Sequence, residues 1–133
     1  MAIIYDLHTP TSASDGTLSP ETLVQRAIQA GVSVLAVTDH DNTSGVHAAQ
    51  REALSNDITL IPGVEISVTW GAYGVHVVGL GIDTESHALQ DGLSRIREQR
   101  GKRALEIGRR LEKKGIGGAY EGALALSNGA LIS

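Results

Sequence analysis

The sequence contains no cysteine, no phenylalanine and only three prolines in 133 residues. Without cysteine there can be no disulfide, thiolate zinc site or cysteine nucleophile, so a metal ion would bind only nitrogen and oxygen ligands. There is no run of eighteen apolar residues, and Met1 leads directly into a strand-like segment. We therefore expect a cytoplasmic protein with no membrane span and no secretory leader.

An excess of positive charge is also absent, since the formal net charge is −4. This balance argues against a basic nucleic-acid coat protein, although an anionic substrate could still be held through metal ions. Glycine is abundant, with 16 residues, alongside much alanine, valine, isoleucine and leucine. This composition and the chain length suit one α/β domain in which helices pack closely against strands.

Short apolar runs alternate with amphipathic segments, which predicts a mainly parallel sheet joined by right-handed crossovers. The predicted strands cover residues 2–7, 32–37, 58–66 and 75–82. One helix is predicted to begin after Ser19, a candidate N-cap, and to end at Gly31. A second is predicted to start at Thr43 as its cap and to run through about Ser55. The glycine-rich segment 70–74 predicts a hairpin-like excursion before the last strand.

The remainder of the chain predicts helices. Apolar residues keep helical spacing from Leu89 to Leu111, with Arg100 in the one missing apolar position and a candidate bend at Gly101. A last short helix is predicted over residues 120–126. Nine of the eleven basic residues fall between residues 95 and 114. They form either a solvated helix face balanced by glutamates or a basic lid over an anionic substrate.

Side chains that commonly bind metals occur where the apolar runs end. They are His8, Asp15, His40, Glu65 and His76. The carboxyl ends of parallel strands open on one face, so we expect His8, His40 and Glu65 to meet there. Imidazole and carboxylate without thiolate suit Zn²⁺, Mn²⁺ or Fe²⁺, and a carboxylate can bridge two ions. Two or three close ions would activate water and neutralise charge on a phosphoryl group.

Each of these side chains also has a simpler explanation. Asp15 alone is typical of a turn, and His76 alone could be a hydrogen-bonded core histidine. Asp39 and Asp41 could simply cap the helix that follows them. An acid nevertheless precedes His8 and His40 closely, and such acids commonly orient a metal-bound imidazole.

Five segments carry a resemblance to a known family. They are DLH at residues 6–8, SDGTLSP at 14–20, TDHD at 38–41, PGVEI at 62–66 and HVVG at 76–79. In this order they resemble the polymerase and histidinol phosphatase (PHP) family of metal-dependent phosphoesterases. The resemblance is closest to the bacterial branch that removes the 3′-phosphate of 3′,5′-nucleoside bisphosphates or trims RNA 5′ ends.

The resemblance implies an α/β fold that forms the N-terminal part of a distorted (β/α)7 PHP barrel, with mainly parallel strands. Residues 1–84 would belong to the barrel, and residues 85–133 to a long helix and the start of a helical insertion. Up to three Mn²⁺, Zn²⁺ or Fe²⁺ ions are implied at the carboxyl-terminal face of the barrel. His8 and Glu65 would serve one ion, Glu65 and His76 a second, and Asp15 and His40 a third. Asp15 and His40 are also the expected catalytic residues.

The sequence departs from the family in two ways. Family members usually carry His-x-His in the first motif, whereas this chain has His8, Thr9 and Pro10. Water, Thr9 or Thr11 could fill the missing ligand position, or the site is weakened. The second departure is length, because family members run to roughly twice this size and carry later ligand motifs. We therefore expect little activity from this chain alone and self-association through an open sheet edge.

Three functional hypotheses follow from these residues. The first is a phosphoesterase that acts on nucleotides or short RNA. The second is a non-catalytic metal-binding or assembly fragment with a degenerate site. The third is an amidohydrolase-like hydrolase that uses the same kinds of ligand. The sequence requires no membrane and no protein partner for any of them.

Overall fold

The computed structural model describes residues 2–127, 129, 130 and 132, and within them the chain forms four strands and four helices. They are β1 (Tyr5–Thr9), α1 (Pro20–Gln29), β2 (Val34–Val37), α2 (Val46–Leu54), β3 (Thr59–Trp70), β4 (Tyr73–Leu80), α3 (His87–Glu112) and α4 (Ala119–Leu126). The predicted range 85–133 therefore includes three residues that lie outside the description. No helix among the described residues combines the length and apolarity needed to cross a membrane.

The strands form one sheet in the order β1, β2, β3, β4. The first three are parallel, and β4 pairs antiparallel with β3. The expected mainly parallel α/β sheet is therefore confirmed. Strands β1 and β4 lie at the two edges, and the exposed apolar side chains of β4 include Val75, Val77 and Leu80.

The core lies between the sheet and the pair of helices α1 and α2. Leu35 and Val37 of β2, Val24 of α1 and Val46 of α2 are fully buried in it. Burial of an aliphatic side chain of this size contributes about 1.5–3 kcal/mol, so this layer holds β2 firmly beneath the site. Helix α1 begins as predicted, because Ser19 Oγ accepts a hydrogen bond from the Thr22 amide.

The predicted cap of the second helix is wrong. Helix α2 has Gly45 at its N-cap, with no side-chain capping bond. Thr43 is buried, and its hydroxyl accepts a hydrogen bond of 2.9 Å from Gln90 of α3. A distant helix therefore uses the side chain that local sequence assigned to a cap.

The predicted excursion around residues 70–74 is a regular hairpin. Strand β3 continues to Trp70, and β4 begins at Tyr73 directly opposite it. Gly71 has a φ of 60°, a conformation that glycine adopts without steric cost, so the chain can reverse within two residues. The hairpin makes β3 four residues longer than the predicted range 58–66 at its carboxyl end.

Helix α3 runs through Gly101 without a break. On its exposed side, Lys102 pairs with Glu98 at 2.6 Å and Arg110 with Glu106 at 2.9 Å, both one turn apart. This part of the basic segment is the balanced, solvated face that the sequence predicted. Other arginines of α3 turn inward and contact the site described next.

Candidate metal centre

Glu65 lies where the sheet changes from parallel to antiparallel pairing. The parallel ladder between β2 and β3 ends at the pair Val37 and Pro62, and a single further bridge joins His40 to Glu65. The Glu65 amide donates to the Asp39 carbonyl at 3.0 Å. The sequence placed Glu65 at the end of its strand, but the hairpin prolongs β3 beyond it. Glu65 instead lies at the end of the parallel section.

Three histidines converge on the two carboxylate oxygens of Glu65. His8 Nε2 lies 2.8 Å from Oε2, and His40 Nε2 lies 3.4 Å from the same oxygen. His76 Nδ1 lies 3.1 Å from Oε1. The rings of His40 and His76 meet edge to face with centroids 4.8 Å apart. The expected meeting of the strand-end ligands therefore occurs, and the hairpin adds His76 from the other side.

Asp15 lies at the rim of this cluster, with Oδ2 3.7 Å from His40 Nε2. Its loop is held from below by Asp39, which is fully buried. Asp39 accepts hydrogen bonds from the Thr11 amide at 2.6 Å, the Thr11 hydroxyl at 2.7 Å and the Ser14 hydroxyl at 2.6 Å. The sequence had suggested that Asp39 caps α2 or orients the His40 ring. Its hydrogen bonds go to Thr11 and Ser14 instead. It fixes the loop that carries Asp15.

The cluster has a buried floor and an open rim. Glu65 and His40 retain 11% and 17% of their side-chain exposure, whereas His8, His76 and Asp15 are each more than half exposed. Burial opposes ionisation of Glu65, but the hydrogen bond from His8 and the nearby imidazoles outweigh it and hold its pKa below the ordinary value. The floor therefore presents a carboxylate to any cation that enters from the rim.

The donor set fits a divalent metal ion. One donor atom each from His40, Glu65 and His76 lies within 4.8 Å of the others. Two donors on one tetrahedral ion are about 3.4 Å apart at usual bond lengths, so small side-chain rotations would bring pairs of these donors to one ion. The Nδ1 atom of His40 is buried with no hydrogen-bond partner among the described residues. The cluster therefore has the nitrogen and oxygen ligand chemistry of a divalent-metal site.

Thr9 and Thr11 flank Pro10, where the resemblance led us to expect a histidine, and both already have hydrogen-bond partners. The Thr9 hydroxyl donates to the Ala36 carbonyl at 2.6 Å, and the Thr11 hydroxyl is bonded to Asp39. Both hydroxyls thus use their protons within the protein, and the suggestion that one of them also serves as a metal ligand stays a prediction.

Sequence reasoning missed the role of Asp41. This residue is fully buried; its Oδ1 accepts from the Ser67 amide at 2.7 Å and its Oδ2 from Arg100 at 2.5 Å. Burial works against ionisation of Asp41, but these hydrogen bonds prevail and lower its pKa. The signal in the sequence was Arg100 itself, which interrupts the apolar stripe of α3.

A separate cavity of about 670 Å³ lies between α2 and the amino-terminal part of β3. Its walls are mainly apolar, with contributions from Leu54, Ile58 and Leu60. It lies several residues before Glu65 on β3, and no carboxylate is among the described residues that line it. We therefore place the chemistry at the histidine cluster and not in this cavity.

Comparison with known proteins agrees with this geometry. A family model described as the PHP domain matches residues 5–122, which is most of the chain. The chain belongs to the PHP domain family. The four strands and their helices accordingly form part of a PHP barrel, with the barrel's curled, mainly parallel sheet.

Three relatives show how far the similarity extends. The 5′-3′ exoribonuclease Rnm of Salmonella typhimurium is 49% identical over 134 residues, covering 99% of this chain and 46% of the relative. The 3′,5′-nucleoside bisphosphate phosphatase of Chromobacterium violaceum is 45% identical over 119 residues, covering 90% and 42%. A solved amidohydrolase from Chromobacterium violaceum, with bound sulfate and no metal, superposes with a TM-score of 0.85 at 45% identity, covering 91% and 43%. The chain thus spans less than half the length of each.

Proposed function

We propose that this chain carries the metal centre of a phosphoesterase that hydrolyses phosphate esters of nucleotides. The substrate class is a 3′,5′-nucleoside bisphosphate or the 5′ end of an RNA. The observation that carries this proposal is the convergence of three imidazoles on the two oxygens of Glu65. The exoribonuclease and phosphatase relatives, both named for phosphate-ester cleavage, support the substrate class.

The division of contacts at Glu65 supports a bridging role. Its Oε2 faces His8 and His40, whereas its Oε1 faces His76. We assign His8 and Glu65 to one ion, Glu65 and His76 to a second, and Asp15 and His40 to a third, with Mn²⁺, Zn²⁺ or Fe²⁺ as the candidates. Such ions, when bound, lower the pKa of a coordinated water and neutralise charge on a phosphoryl group.

Asp15 and His40 are the proposed catalytic pair. Asp15 is exposed at the rim and lies 3.7 Å from His40, which belongs to the buried floor. The pair is therefore placed to meet the phosphoryl group, and the second carboxylate oxygen of Asp15 would take a proton from the attacking water. A bond forms between water oxygen and phosphorus, the ester P–O bond breaks, and the leaving oxygen departs with a proton.

A polar groove beside His76 supports an anionic substrate. It has a volume of about 260 Å³. Its polar lining residues are Ser67, Thr69, His76, Gln99, Arg100 and Arg103. The arginines come from α3, and because Arg100 already pairs with Asp41, Arg103 is the residue that would offer positive charge to a substrate. This is the arrangement expected of the basic lid that the sequence suggested.

We further propose that this chain has little activity alone. Residues 1–84 would form the barrel part and residues 85–133 the start of an insertion, in keeping with relatives of about twice the length. In a complete barrel, further loops and metal ligands would cover the exposed rim residues His8, Asp15 and His76. Until β4 is covered, its exposed edge would favour self-association in the cytoplasm.

The test has two parts, metal binding and hydrolysis. The chain and its Glu65→Gln variant are first titrated with Mn²⁺, and bound metal is measured by electron paramagnetic resonance. Phosphate release from a 3′,5′-nucleoside bisphosphate is then measured with the chain alone and with a chimera. In the chimera, this chain replaces the matching part of the Salmonella relative.

We expect Mn²⁺ binding by the chain, at least 100-fold weaker binding by Glu65→Gln, and hydrolysis by the chimera only. Loss of a direct metal ligand should weaken binding by more than the roughly 10–100-fold that is typical when a residue that only orients a ligand is replaced. Metal binding without hydrolysis by the chimera would favour the alternative of a non-catalytic metal-binding or assembly fragment. No metal binding at all would refute the proposed centre.

A further inference from the structure

Two inward arginines of α3 hold the residue that follows His40. Arg100 reaches the Asp41 carboxylate at 2.5 Å and the Ser67 hydroxyl at 3.1 Å. One turn earlier, Arg97 donates to the Asp41 backbone carbonyl at 2.7 Å. Arg100 keeps only 13% of its side-chain exposure, although it is a charged residue on a helix of the insertion. Helix α3 is thus fastened directly to the loop that carries a proposed metal ligand.

Asp41 joins the backbones of both floor ligands. It directly follows His40, and its amide donates to the Glu65 carbonyl at 2.9 Å. Its carboxylate accepts from the Ser67 amide, two residues beyond Glu65. The position of Asp41 therefore sets how the His40 loop meets β3.

Asp41 also has a strained backbone that needs support. Its φ is 50°, and it is the one non-glycine residue with a positive φ in the described part of the chain. Such a conformation is uncommon for a residue other than glycine and persists only where the surroundings fix it. The contacts from Arg97, Arg100 and Ser67 supply that fixation.

Stability alone does not explain a charged pair at this place. Replacement of a buried ion pair by apolar residues is often neutral or stabilising, because both charges lose their hydration. Arg100 occupies a position in the apolar stripe of α3 where an aliphatic side chain would pack, and its Nε has no hydrogen-bond partner among the described residues. What the arginine adds is a directed contact to Asp41.

We propose that Arg100 is a positioning residue of the metal centre, which acts through Asp41 to fix His40 and Glu65 in their convergent arrangement. The inference rests on the metal centre of the proposed function. It adds that a helix of the predicted insertion, outside the barrel, sets the geometry of the ligands. Loss of the contact would let the His40 loop relax toward an ordinary backbone conformation.

The test compares Arg100→Met, Arg100→Lys and the control Arg95→Met, which removes an exposed arginine from the same helix. Three quantities are measured for each protein. The urea midpoint and the His40 ring proton resonance by NMR are measured without metal. The Mn²⁺ affinity is measured by electron paramagnetic resonance during a titration. We expect Arg100→Met to weaken Mn²⁺ binding by about 10–100-fold and to shift the His40 resonance. Arg100→Lys should restore most of both, and Arg95→Met should change neither.

A purely structural role would give a different pattern. In that case Arg100→Met would lower the urea midpoint while the folded protein kept its Mn²⁺ affinity and its His40 resonance, and this result would overturn the inference. If Arg100→Met does not fold, Asp41→Asn removes the same charge contact and must produce the same two changes. If the unaltered chain binds no Mn²⁺, the proposed function loses its centre, and the His40 resonance alone decides the positioning role.

Discussion

Replacement of Asp39 by asparagine is expected to loosen the loop that carries Asp15. Asp39 is fully buried and accepts three short hydrogen bonds, two from Thr11 and one from Ser14. Asparagine has nearly the same shape, so the substitution leaves no cavity. It removes the negative charge and converts one acceptor oxygen into an NH₂ donor.

The magnitude follows from the two oxygens separately. Oδ1 accepts from the Thr11 amide and from Ser14, and an asparagine oxygen in its place would keep both bonds without their charge. The NH₂ group would then face the Thr11 hydroxyl, whose proton loses its acceptor. Hydrogen bonds to charged groups contribute about 1.5–3 kcal/mol and neutral ones about 0.5–1.5 kcal/mol. Two bonds weakened by about 1–1.5 kcal/mol each and one lost bond of about 1.5–3 kcal/mol sum to about 3.5–6 kcal/mol.

Urea unfolding followed by circular dichroism measures this loss. With a slope of about 2 kcal/mol/M, the midpoint should fall by about 2–3 M. Hydrogen exchange should quicken at Gly16, whose amide donates to the Thr11 carbonyl. Asp57→Asn, at an exposed position, is the matched control. A midpoint change no larger than that of the control would refute the reasoning, since it would mean that the Asp39 bonds do not hold the loop.

Three further outcomes are expected. Folding lowers the pKa of Asp41, so its ionised form stabilises the unaltered protein relative to the Asp41→Asn variant. This difference in unfolding free energy should be full above the ordinary pKa of 3.8 and should shrink as the pH falls below it. Urea unfolding of both proteins at several pH values measures it. Gly63→Ala would place a Cβ 2.8 Å from Thr38 Cγ2 and should destabilise the fold by about 1–3 kcal/mol, whereas Gly74→Ala has nothing within 4 Å and should not. Val77→Lys on the exposed face of β4 should abolish concentration-dependent association in sedimentation, and an unchanged profile would exclude that face.

The layout of the parallel sheet could be predicted because its signals are local. The β-branched run before Val37 and the Ser19 cap each depend on neighbours in sequence, and both elements formed where expected. The meeting of His8 and His40 was also predictable, because parallel strands deliver their carboxyl ends to one edge. Topology alone therefore gave the ligands of one side of the centre.

The supporting contacts could not be predicted, because their partners are distant in the chain. Asp39 and Thr11 are 28 residues apart, and Asp41 and Arg100 are 59 residues apart. From sequence alone, an aspartate just before a helix is read as an N-cap, because its distant hydrogen-bond partner is not visible there. The side chain of Thr43 was misassigned for the same reason, since Gln90 claims its hydroxyl.

The position of Glu65 explains how one carboxylate reaches three histidines. Parallel strands alone deliver ligands from one direction, here from β1 and from the end of β2. The antiparallel β4 returns along the opposite side of β3, where His76 lies across from Ser67 and Val78 across from Glu65. Residues directly opposite share a face, as do residues two apart, so His76 and Glu65 are diagonal neighbours on one face. A slip of one residue in this hairpin would turn His76 to the other face, so the tight turn at Gly71 sets the chemistry as well as the fold.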